Sequence, residues 1–404
     1  MRKKIPHCAI LVIVFAFQCL HAHARSGHVK PEDDAALTAA THGLCHSRVA
    51  MLGESATHGD GHALAFKVSL VERLVDQCGF DSVLFEANHY EFINLNRRLR
   101  MGQAVDSIGV LAAVGGLWKF NQEFQTLPPF LLARAQAGKL SLGGIDDQLG
   151  QLGQDYANTE MVNELTSLLP QQERQACSAA LHKRIYSDYA DASPYSGADR
   201  AQIESCLSEM HRADAADKTT DHQGKAERQE MIDAAQRWIS RDFTSDAESI
   251  VNRDRAMFQA FQWLLRQKPR RHKVTIWAAT VHIAKQGGPT WGDRTGTNFG
   301  SFVHHKYGQR AFSLGFSALT GSYEEIGRHG IQEMPVAPPG SVEVQAMGGS
   351  CTDATYVGPT QLRAMGIAPG AFFRHSYQTL SWSTFLDGVV VFREEQPPSY
   401  GSEK

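Results

Sequence analysis

The chain has 404 residues, of which 42% are hydrophobic and 21% are charged, and this composition excludes a disordered or fibrous protein. Its formal net charge of −3 gives no basic footprint, so nucleic acid is not an expected partner. The length exceeds what one compact core usually needs, although a single elaborated α/β domain can reach it.

The first residues have the pattern of an export signal. Three basic residues at 2–4 precede the apolar run "CAILVIVFAF" (8–17), which is too short to span a bilayer comfortably, and "AHA" (22–24) is a small-x-small cleavage site. We therefore expect residues 1–24 to be removed as a signal peptide. The mature protein is then expected to be periplasmic or secreted and to have no attachment to the membrane.

Five cysteines follow the predicted cleavage site, and an oxidising compartment permits disulfides between them. Because the number is odd, at least one is unpaired or pairs between chains. Cys177 and Cys206 lie on adjacent helix-like segments and are candidates to join them. Cys78 falls on the apolar face of a predicted helix, where a small core residue is the alternative reading.

Seven short apolar runs predict the strands of the fold. Most are apolar almost without interruption, which is the pattern of strands covered on both faces in a parallel sheet. The runs span 47–52, 82–86, 139–146, 273–278, 310–316, 342–347 and 388–394.

Helical patterns separate these strands in the first half of the chain. Residues 62–78 place apolar side chains three and four positions apart, and Gly79 is suited to end that helix. Residues 92–137 predict further helices, which we expect to be broken at Pro128 and Pro129.

The middle of the chain has few strand signals. Residues 155–268 are polar and rich in alanine and charge, which indicates a helical insertion, and its last helix is predicted near 246–267. The polar stretch 211–229 is expected to be an exposed link between helices.

Alternating strands and helices predict an α/β fold with a wound, mostly parallel sheet flanked by helices. The helical insertion is expected to cap one edge of this sheet. The predicted division is a signal peptide (1–24), the first part of the α/β core (25–150), the insertion or cap (151–270), the second part of the core (271–396) and a frayed tail (397–404).

Ionisable residues follow several of the predicted strands. The first strand runs into Glu54 and His58 in "GESATHG", the second ends in Glu86, and the fourth is followed by His282 in "WAATVHIAK". Ligands of open α/β sheets bind beyond the carboxyl ends of the strands. The third strand ends in Asp146 and Asp147. If these strands are parallel, all of these side chains gather on one rim and form a candidate site.

Each candidate also has a purely structural reading. Lys67 lies on the flank of an apolar helix face, where outward snorkelling is the more common behaviour and contact with the pocket is the alternative. Glu86 fits a helix cap, His282 fits a hydrogen-bonded structural histidine, and His62 is open to either reading. The pair at 146–147, which ends the third strand, reads best as an N-cap.

Common catalytic motifs do not occur in the sequence. It contains no G-x-S-x-G, no H-E-x-x-H and no C-x-x-C pattern, so a serine nucleophile elbow and the usual zinc motifs are not expected. "GDGHAL" imitates a dinucleotide fingerprint, but Leu64 occupies its third glycine position, and no nicotinamide cofactor is expected.

Several segments resemble the erythromycin esterase family. "GESATHG" followed by "LVERLVDQCGFDSVLFEA" is similar to the opening of that family, and the resemblance continues over most of the mature chain. The further similar segments are "WKFNQEF" (118–124), "GGID" (143–146), "NRDRAMFQAFQWLL" (252–265), "WAATVHIAK" (277–285) and "NFGSFVHHKYGQRAFSLGFSALTGSY" (298–323).

The resemblance implies an α/β fold with a helical insertion. It also implies hydrolysis of a macrolide lactone, the chemistry of antibiotic resistance, by an activated water without a covalent serine. By position, His58 resembles the family's general base, Glu54 and Glu86 its pocket carboxylates, and His282 its second histidine.

The sequence departs from the family pattern at three positions. Lys67 stands where arginine is usual, His62 where a glutamate is common, and Ala279 replaces the first histidine of H-N-x-H. The change from arginine to lysine removes a bidentate fork.

The leading hypothesis is hydrolysis of a small-molecule carboxylic ester or lactone. His58 would take a proton from water, Glu54 or Glu86 would orient the imidazole, and Lys67 and His282 would stabilise the oxyanion. No cofactor is expected in this mechanism. One alternative is a hydrolase in which the same Glu/His cluster holds a divalent metal ion, and the other is a non-catalytic ligand-binding homologue.

Overall fold

The computed structural model describes residues 33–188, 195–268, 272–287, 297–326, 330–349 and 351–400. The predicted signal peptide at 1–24 lies outside these residues.

The strands form one large sheet and two small ribbons. In chain order they are β1 (Val49–Leu52), β2 (Ser82–Asn88), β3 (Ser141–Asp146), β4 (Val274–Trp277), β5 (Ala311–Ala318), β6 (Ser322–Tyr323), β7 (Gln332–Glu333), β8 (Ala354–Val357), β9 (Ile367–Gly370), β10 (Gln378–Ser381) and β11 (Gly388–Phe392). The large sheet has the order β3-β2-β4-β1-β5-β11-β8. Its first six strands are parallel and the edge strand β8 is antiparallel, which confirms the predicted mostly parallel sheet.

Helices cover both faces of this sheet. They are α1 (Asp34–Cys45), α2 (Gly61–Cys78), α3 (His89–Arg100), α4 (Ser107–Val114), α5 (Leu127–Gln136), α6 (Met161–Thr166), α7 (Gln171–Ile185), α8 (Gly197–Ala216), α9 (His222–Ser240), α10 (Asp246–Arg266), α11 (Thr280–Ile283), α12 (Phe299–Tyr307), α13 (Val342–Met347) and α14 (Pro359–Ala364). Among these helices, none is long and apolar enough to cross a membrane.

The strands are apolar throughout because their alternating side chains enter two separate cores. Ala50 and Leu52 of β1 pack with α1, α2, α4 and α5, whereas Val49 and Met51 pack with helices α10 to α14. All four residues are fully buried. A strand that is buried on both faces has a continuous apolar sequence, and this pattern is what predicted β1.

The helical insertion has an apolar cluster of its own. Helices α6 to α9 contribute to it, with Leu181, Leu207 and Met231 among its buried residues. A disulfide between Cys177 and Cys206, whose Cα atoms are 5.5 Å apart, joins α7 to α8. The predicted pairing of these two cysteines is therefore confirmed.

The predicted strand at 342–347 is wrong, because these residues form α13. The Ser341 side chain accepts a hydrogen bond from the Val344 amide at 3.2 Å, and Gly348 ends the helix in the left-handed conformation. The two caps outweigh the β-branched composition of the segment. The antiparallel edge strand β8 follows it instead.

Two further expectations about the helices need correction. Pro128 and Pro129 do not break a helix but begin α5, where a missing N–H costs nothing because the first turn has no partner for it. The stretch 211–229 is mostly helical, since α8 continues to Ala216 and α9 begins at His222.

The remaining corrections concern Cys78 and the tail. Cys78 is not a free core residue, because it forms a disulfide with Cys45. Residues 397–400 of the tail are not frayed, since the Gln122 amide donates to the Ser399 carbonyl at 2.7 Å.

Candidate active site

The loop after β1 carries Glu54 and His58 and is packed closely at both of its glycines. A Cβ atom on Gly53 would lie 2.4 Å from Thr280 Oγ1, and one on Gly59 would lie 1.8 Å from the Glu324 carbonyl oxygen. His58 itself has a positive φ of 54°. The spacing of "GESATHG" therefore serves a tight loop that presents two ionisable side chains at the rim of the sheet.

Glu54 and His58 form a hydrogen-bonded pair. Glu54 Oε1 lies 2.7 Å from His58 Nδ1. An ionised carboxylate only accepts hydrogen bonds, so Nδ1 carries the proton and a neutral His58 has its lone pair on Nε2. Within the described part of the chain Nε2 has no hydrogen-bond partner, and the side chain is 11% exposed. This atom is thus available to a molecule at the rim.

Two further donors hold the Glu54 carboxylate. Lys67 Nζ donates to Oε2 at 2.8 Å, and Trp118 Nε1 donates to Oε1 at 2.8 Å. Burial raises the pKa of Glu54, but the Lys67 charge and the His58 hydrogen bond outweigh it and hold the pKa below its usual value. Glu54 is therefore a fixed carboxylate.

Lys67 does not snorkel outward, contrary to the more common behaviour of lysines on such a flank. Its side chain has no exposed surface, and Nζ lies 4.2 Å from the centre of the Trp277 ring. Burial lowers its pKa from the usual value, which the Glu54 charge opposes. The expected direct contact with an oxyanion does not fit this position, because Lys67 lies beneath Glu54.

Glu86 and His282 form a second pair at the ends of β2 and β4. Glu86 Oε1 lies 3.1 Å from His282 Nε2, and Oε2 accepts from the Ala279 amide at 2.8 Å. On its other side the imidazole of His282 places Nδ1 2.7 Å from Asp254 Oδ1. Glu86 is thus neither exposed nor a cap of the helix that follows it.

The carboxylates on both sides keep His282 protonated. Burial lowers the pKa of His282, but Glu86 and Asp254 outweigh it and raise the pKa to about 10. In turn, burial raises the pKa of Glu86, and the charge and hydrogen bond of His282 bring it well below the usual value. At neutral pH this pair is an imidazolium held between two carboxylates.

The two pairs lie at one rim because their strands are neighbours. β4 pairs with β1 on one side and with β2 on the other, so Glu86 near the end of β2 lies at the same rim as Glu54 and His282, which follow β1 and β4. The charge of His58 also lowers the pKa of Glu86, and the charge of Glu86 acts on Lys67. The structure therefore brings all five predicted site residues together.

Trp118, Arg253 and Asp254 also belong to this cluster, although none was singled out as a site residue. Trp118 and the pair from α10 lie in "WKFNQEF" and "NRDRAMFQAFQWLL", two of the segments similar to the family. The apolar periodicity of α10 predicted its core face but not a contribution to the site. The adjacent charged residues "RD" at 253–254, next to that apolar face, are the sequence feature that could have indicated one.

Asp146 and Asp147 form ion pairs rather than an N-cap pair. Asp146 Oδ2 accepts from Arg253 Nε at 3.0 Å, and Asp147 binds both terminal nitrogens of Arg241. The expected capping is limited, in the described residues, to one local hydrogen bond, in which the Gln148 amide donates to Asp146 Oδ1 at 3.1 Å.

His62 does not point to the site. Its Nε2 lies 2.8 Å from Asp33 Oδ2, and its ring stacks on Phe392 with centroids 4.2 Å apart. Of the two roles considered for His62, functional and structural, these contacts support the structural one.

Among the residues that the structure describes, no group of three or more His, Cys, Asp or Glu side chains is arranged to hold a metal ion. Two cavities, of about 770 Å³ and about 490 Å³, lie elsewhere, and none of the five predicted site residues lines either of them. The smaller one is at the opposite end of the sheet, where Val49 and Val274 begin their strands.

Comparison with known proteins identifies the family. The family model described as Erythromycin esterase matches residues 75–383. The protein named Putative hydrolase YbfO from Bacillus subtilis (strain 168) is 20% identical over 386 residues, covering 86% of this chain and 85% of its own.

Three solved structures share the fold. A succinoglycan biosynthesis protein aligns with a TM-score of 0.70 at 16% identity, covering 93% of this chain and 94% of its own. A protein from Bacillus cereus aligns with a TM-score of 0.68 at 15% identity, covering 94% of this chain and 96% of its own. A histidine-to-asparagine mutant of the erythromycin esterase EreC in its open conformation aligns with a TM-score of 0.61 at 14% identity. The alignment covers 90% of this chain and 94% of that chain. On the match of the family model to most of its length, the chain belongs to the erythromycin esterase family.

Proposed function

We propose that this exported protein is a hydrolase that cleaves a carboxylic ester or lactone with water activated by His58. Membership of the family and the similarity to YbfO support a hydrolase. The observation that carries the ester chemistry is the Glu54–His58 pair, in which Nδ1 is bonded to a fixed carboxylate and Nε2 remains available.

In the proposed reaction, His58 Nε2 takes a proton from water as the oxygen attacks the substrate carbonyl carbon. The carbonyl becomes a tetrahedral oxyanion, and Glu54 stabilises the imidazolium formed on His58. When the intermediate collapses, the ester C–O bond breaks and the imidazolium returns its proton to the leaving alkoxide. The products are a carboxylic acid and an alcohol, or a single hydroxy acid when the substrate is a lactone.

Lys67 and Trp118 assist by holding Glu54. Both donate to its carboxylate at 2.8 Å, so the group that orients His58 is fixed on three sides. A lysine offers one point charge where arginine would offer a fork, and here the second oxygen is satisfied by Trp118 instead.

A macrolide lactone is the proposed substrate class, on the ground of family and of the fold shared with the erythromycin esterase EreC. The fully buried Ala279, in place of a histidine, contributes only its amide to Glu86. Export is proposed from the pattern of residues 1–24. The disulfide between Cys177 and Cys206 suits an oxidising compartment.

The test is a hydrolysis screen of macrolides, simple lactones and 4-nitrophenyl esters with wild type and His58→Ala. We expect kcat of His58→Ala to fall by about 1,000-fold, since it removes the base, with the fold intact by circular dichroism. His305→Ala, at an exposed histidine, is the matched control and should retain wild-type kcat. Equal turnover by His58→Ala and wild type would reject the assignment.

A further inference from the structure

We propose that Arg253 is a catalytic residue whose Nη1 group donates to the substrate carbonyl oxygen as that oxygen becomes an anion. The proposal rests on the proposed ester hydrolysis and names the oxyanion donor that Lys67 cannot supply.

One edge of the Arg253 guanidinium is fixed by two carboxylates. Nε donates to Asp146 Oδ2 at 3.0 Å, and Nη2 contacts the same oxygen and donates to Glu86 Oε1 at 3.0 Å. Because the guanidinium is planar, these bonds also fix the direction of Nη1. The group is preorganised, as an oxyanion donor must be.

Nη1 itself has no acceptor among the described residues other than His282 Nε2, which is 3.4 Å away. That nitrogen also lies 3.1 Å from Glu86, and Nδ1 lies 2.7 Å from Asp254. With a carboxylate on each side, both ring nitrogens of His282 carry protons, and Nε2 then has no lone pair to offer Nη1. Both N–H groups of Nη1 are left for another acceptor.

Arg253 is also the most exposed of the three cations that the structure describes in this cluster. Its side chain is 22% exposed, compared with 0% for Lys67 and 5% for His282. Glu86 lies beside it near the end of β2, and His58 follows β1, which is separated from β2 only by β4, so the base and the guanidinium lie at the same rim of the sheet. We place the oxygen of a carbonyl that is attacked by water from His58 on the Arg253 side of this rim.

The alternative role is a structural ion pair that only neutralises Asp146 and Glu86. Removing the charge would leave the buried carboxylate of Asp146 without its cation and Glu86 with His282 alone, which would destabilise the protein. Arg253→Lys separates the two roles, because it retains the positive charge and loses the fixed Nη1 donor.

The test compares Arg253→Lys with Arg241→Lys, a matched control in which a buried arginine binds the neighbouring Asp147. We expect Arg253→Lys to fold, to lose about 100-fold in kcat and to change KM by less than threefold, since the donor acts on the transition state. Arg241→Lys should retain kcat within threefold of wild type. A folded Arg253→Lys protein whose kcat falls less than tenfold would overturn the proposal.

A binding measurement keeps the test valid if Arg253→Lys does not fold or if the wild type hydrolyses none of the esters. Methylphosphonate, a tetrahedral oxyanion, is titrated calorimetrically into wild type, Arg241→Lys and the double variant Asp146→Asn/Arg253→Gln, which removes both charges of one pair. We expect at least tenfold weaker binding only in the double variant. Equal binding by all three proteins would refute the role of Arg253, whereas inactivity of the wild type with intact binding would refute only the ester hydrolysis.

Discussion

At the residue scale, the site consists of side chains whose charges are fixed by their neighbours. Glu54 accepts from His58, Lys67 and Trp118. His282 donates to Glu86 on one side and Asp254 on the other. Among the described residues of this cluster, the groups that we propose to act on a substrate are Nε2 of His58 and Nη1 of Arg253. The remaining charges orient these two groups.

The raised pKa of His282 predicts a pH dependence of stability. Its folded pKa of about 10 exceeds its ordinary value of 6.5, so the folded state binds this proton more tightly. The resulting stabilisation is complete below pH 6.5 and is lost as the pH rises through about 10. Since Asp254 contributes to the shift, we expect Asp254→Asn to be less stable than wild type at pH 6.5 and the difference to shrink towards pH 10.

The measurement is urea unfolding of wild type and Asp254→Asn at several pH values between 6.5 and 10. The isosteric variant keeps the shape of the site, so the pH dependence of the difference reports on the charge of His282. A difference in unfolding free energy that stays constant over this range would contradict the assignment of His282 as an imidazolium.

At the scale of elements, the sequence predicted the central strands, whose apolar pattern follows from burial. It misassigned α13 as a strand, because the helical structure of that segment depends on its two caps. Six of the seven predicted strands are present, and their apolar side chains fill both cores. "VEVQAM" has the same composition but lies between Ser341 and Gly348, and these caps make it helical. A strand of six residues and a capped helix of six residues have no periodicity long enough to tell them apart.

The disulfide between α7 and α8 gives a prediction at this scale. It closes a segment with a sequence separation of 29 residues within the helical insertion. We expect Cys177→Ala/Cys206→Ala to lower the unfolding free energy by about 2–4 kcal/mol, because the unfolded chain gains freedom. Since the disulfide joins α7 to α8, whereas Arg253 and Asp254 of the site come from α10, kcat should stay within threefold of wild type.

Thermal and denaturant unfolding, with kcat measured in parallel, check this expectation. The exposed free Cys351 provides the control, and Cys351→Ser should unfold as wild type does. A double variant as stable as wild type would mean that the apolar cluster of the insertion holds α7 and α8 together without the covalent link.

At the scale of the whole molecule, the site draws on segments far apart in the chain, and only part of it was predictable. Residues that follow strands were found from sequence, because parallel strands share one carboxyl edge. Asp254 and Arg253 come from a helix, and their approach to the rim depends on how α10 packs against β3. No local pattern encodes that packing, so these two residues could be placed only by the fold.

The same assembly favours the proposed mechanism over a metal-dependent one. Each carboxylate of the cluster has a cation of the chain beside it: Glu54 has Lys67, Glu86 has His282 and Arg253, Asp146 has Arg253, and Asp254 has His282. Both oxygens of Glu54 and of Glu86 already accept hydrogen bonds. A divalent ion would have to displace the buried Lys67 or the partly buried Arg253 to reach them, at a cost on the order of several kcal/mol.

We therefore expect esterase activity to survive removal of metal ions. The purified protein is dialysed against EDTA, its metal content is measured by elemental analysis, and kcat and the thermal unfolding temperature are compared with those of undialysed protein. Both should be unchanged, because in the proposed mechanism His58 activates the water and the carboxylates of the rim are paired with the chain's own cations. Activity that is lost on dialysis and restored by one divalent ion would show that the Glu/His cluster binds a metal, with Lys67 or Arg253 displaced to admit it.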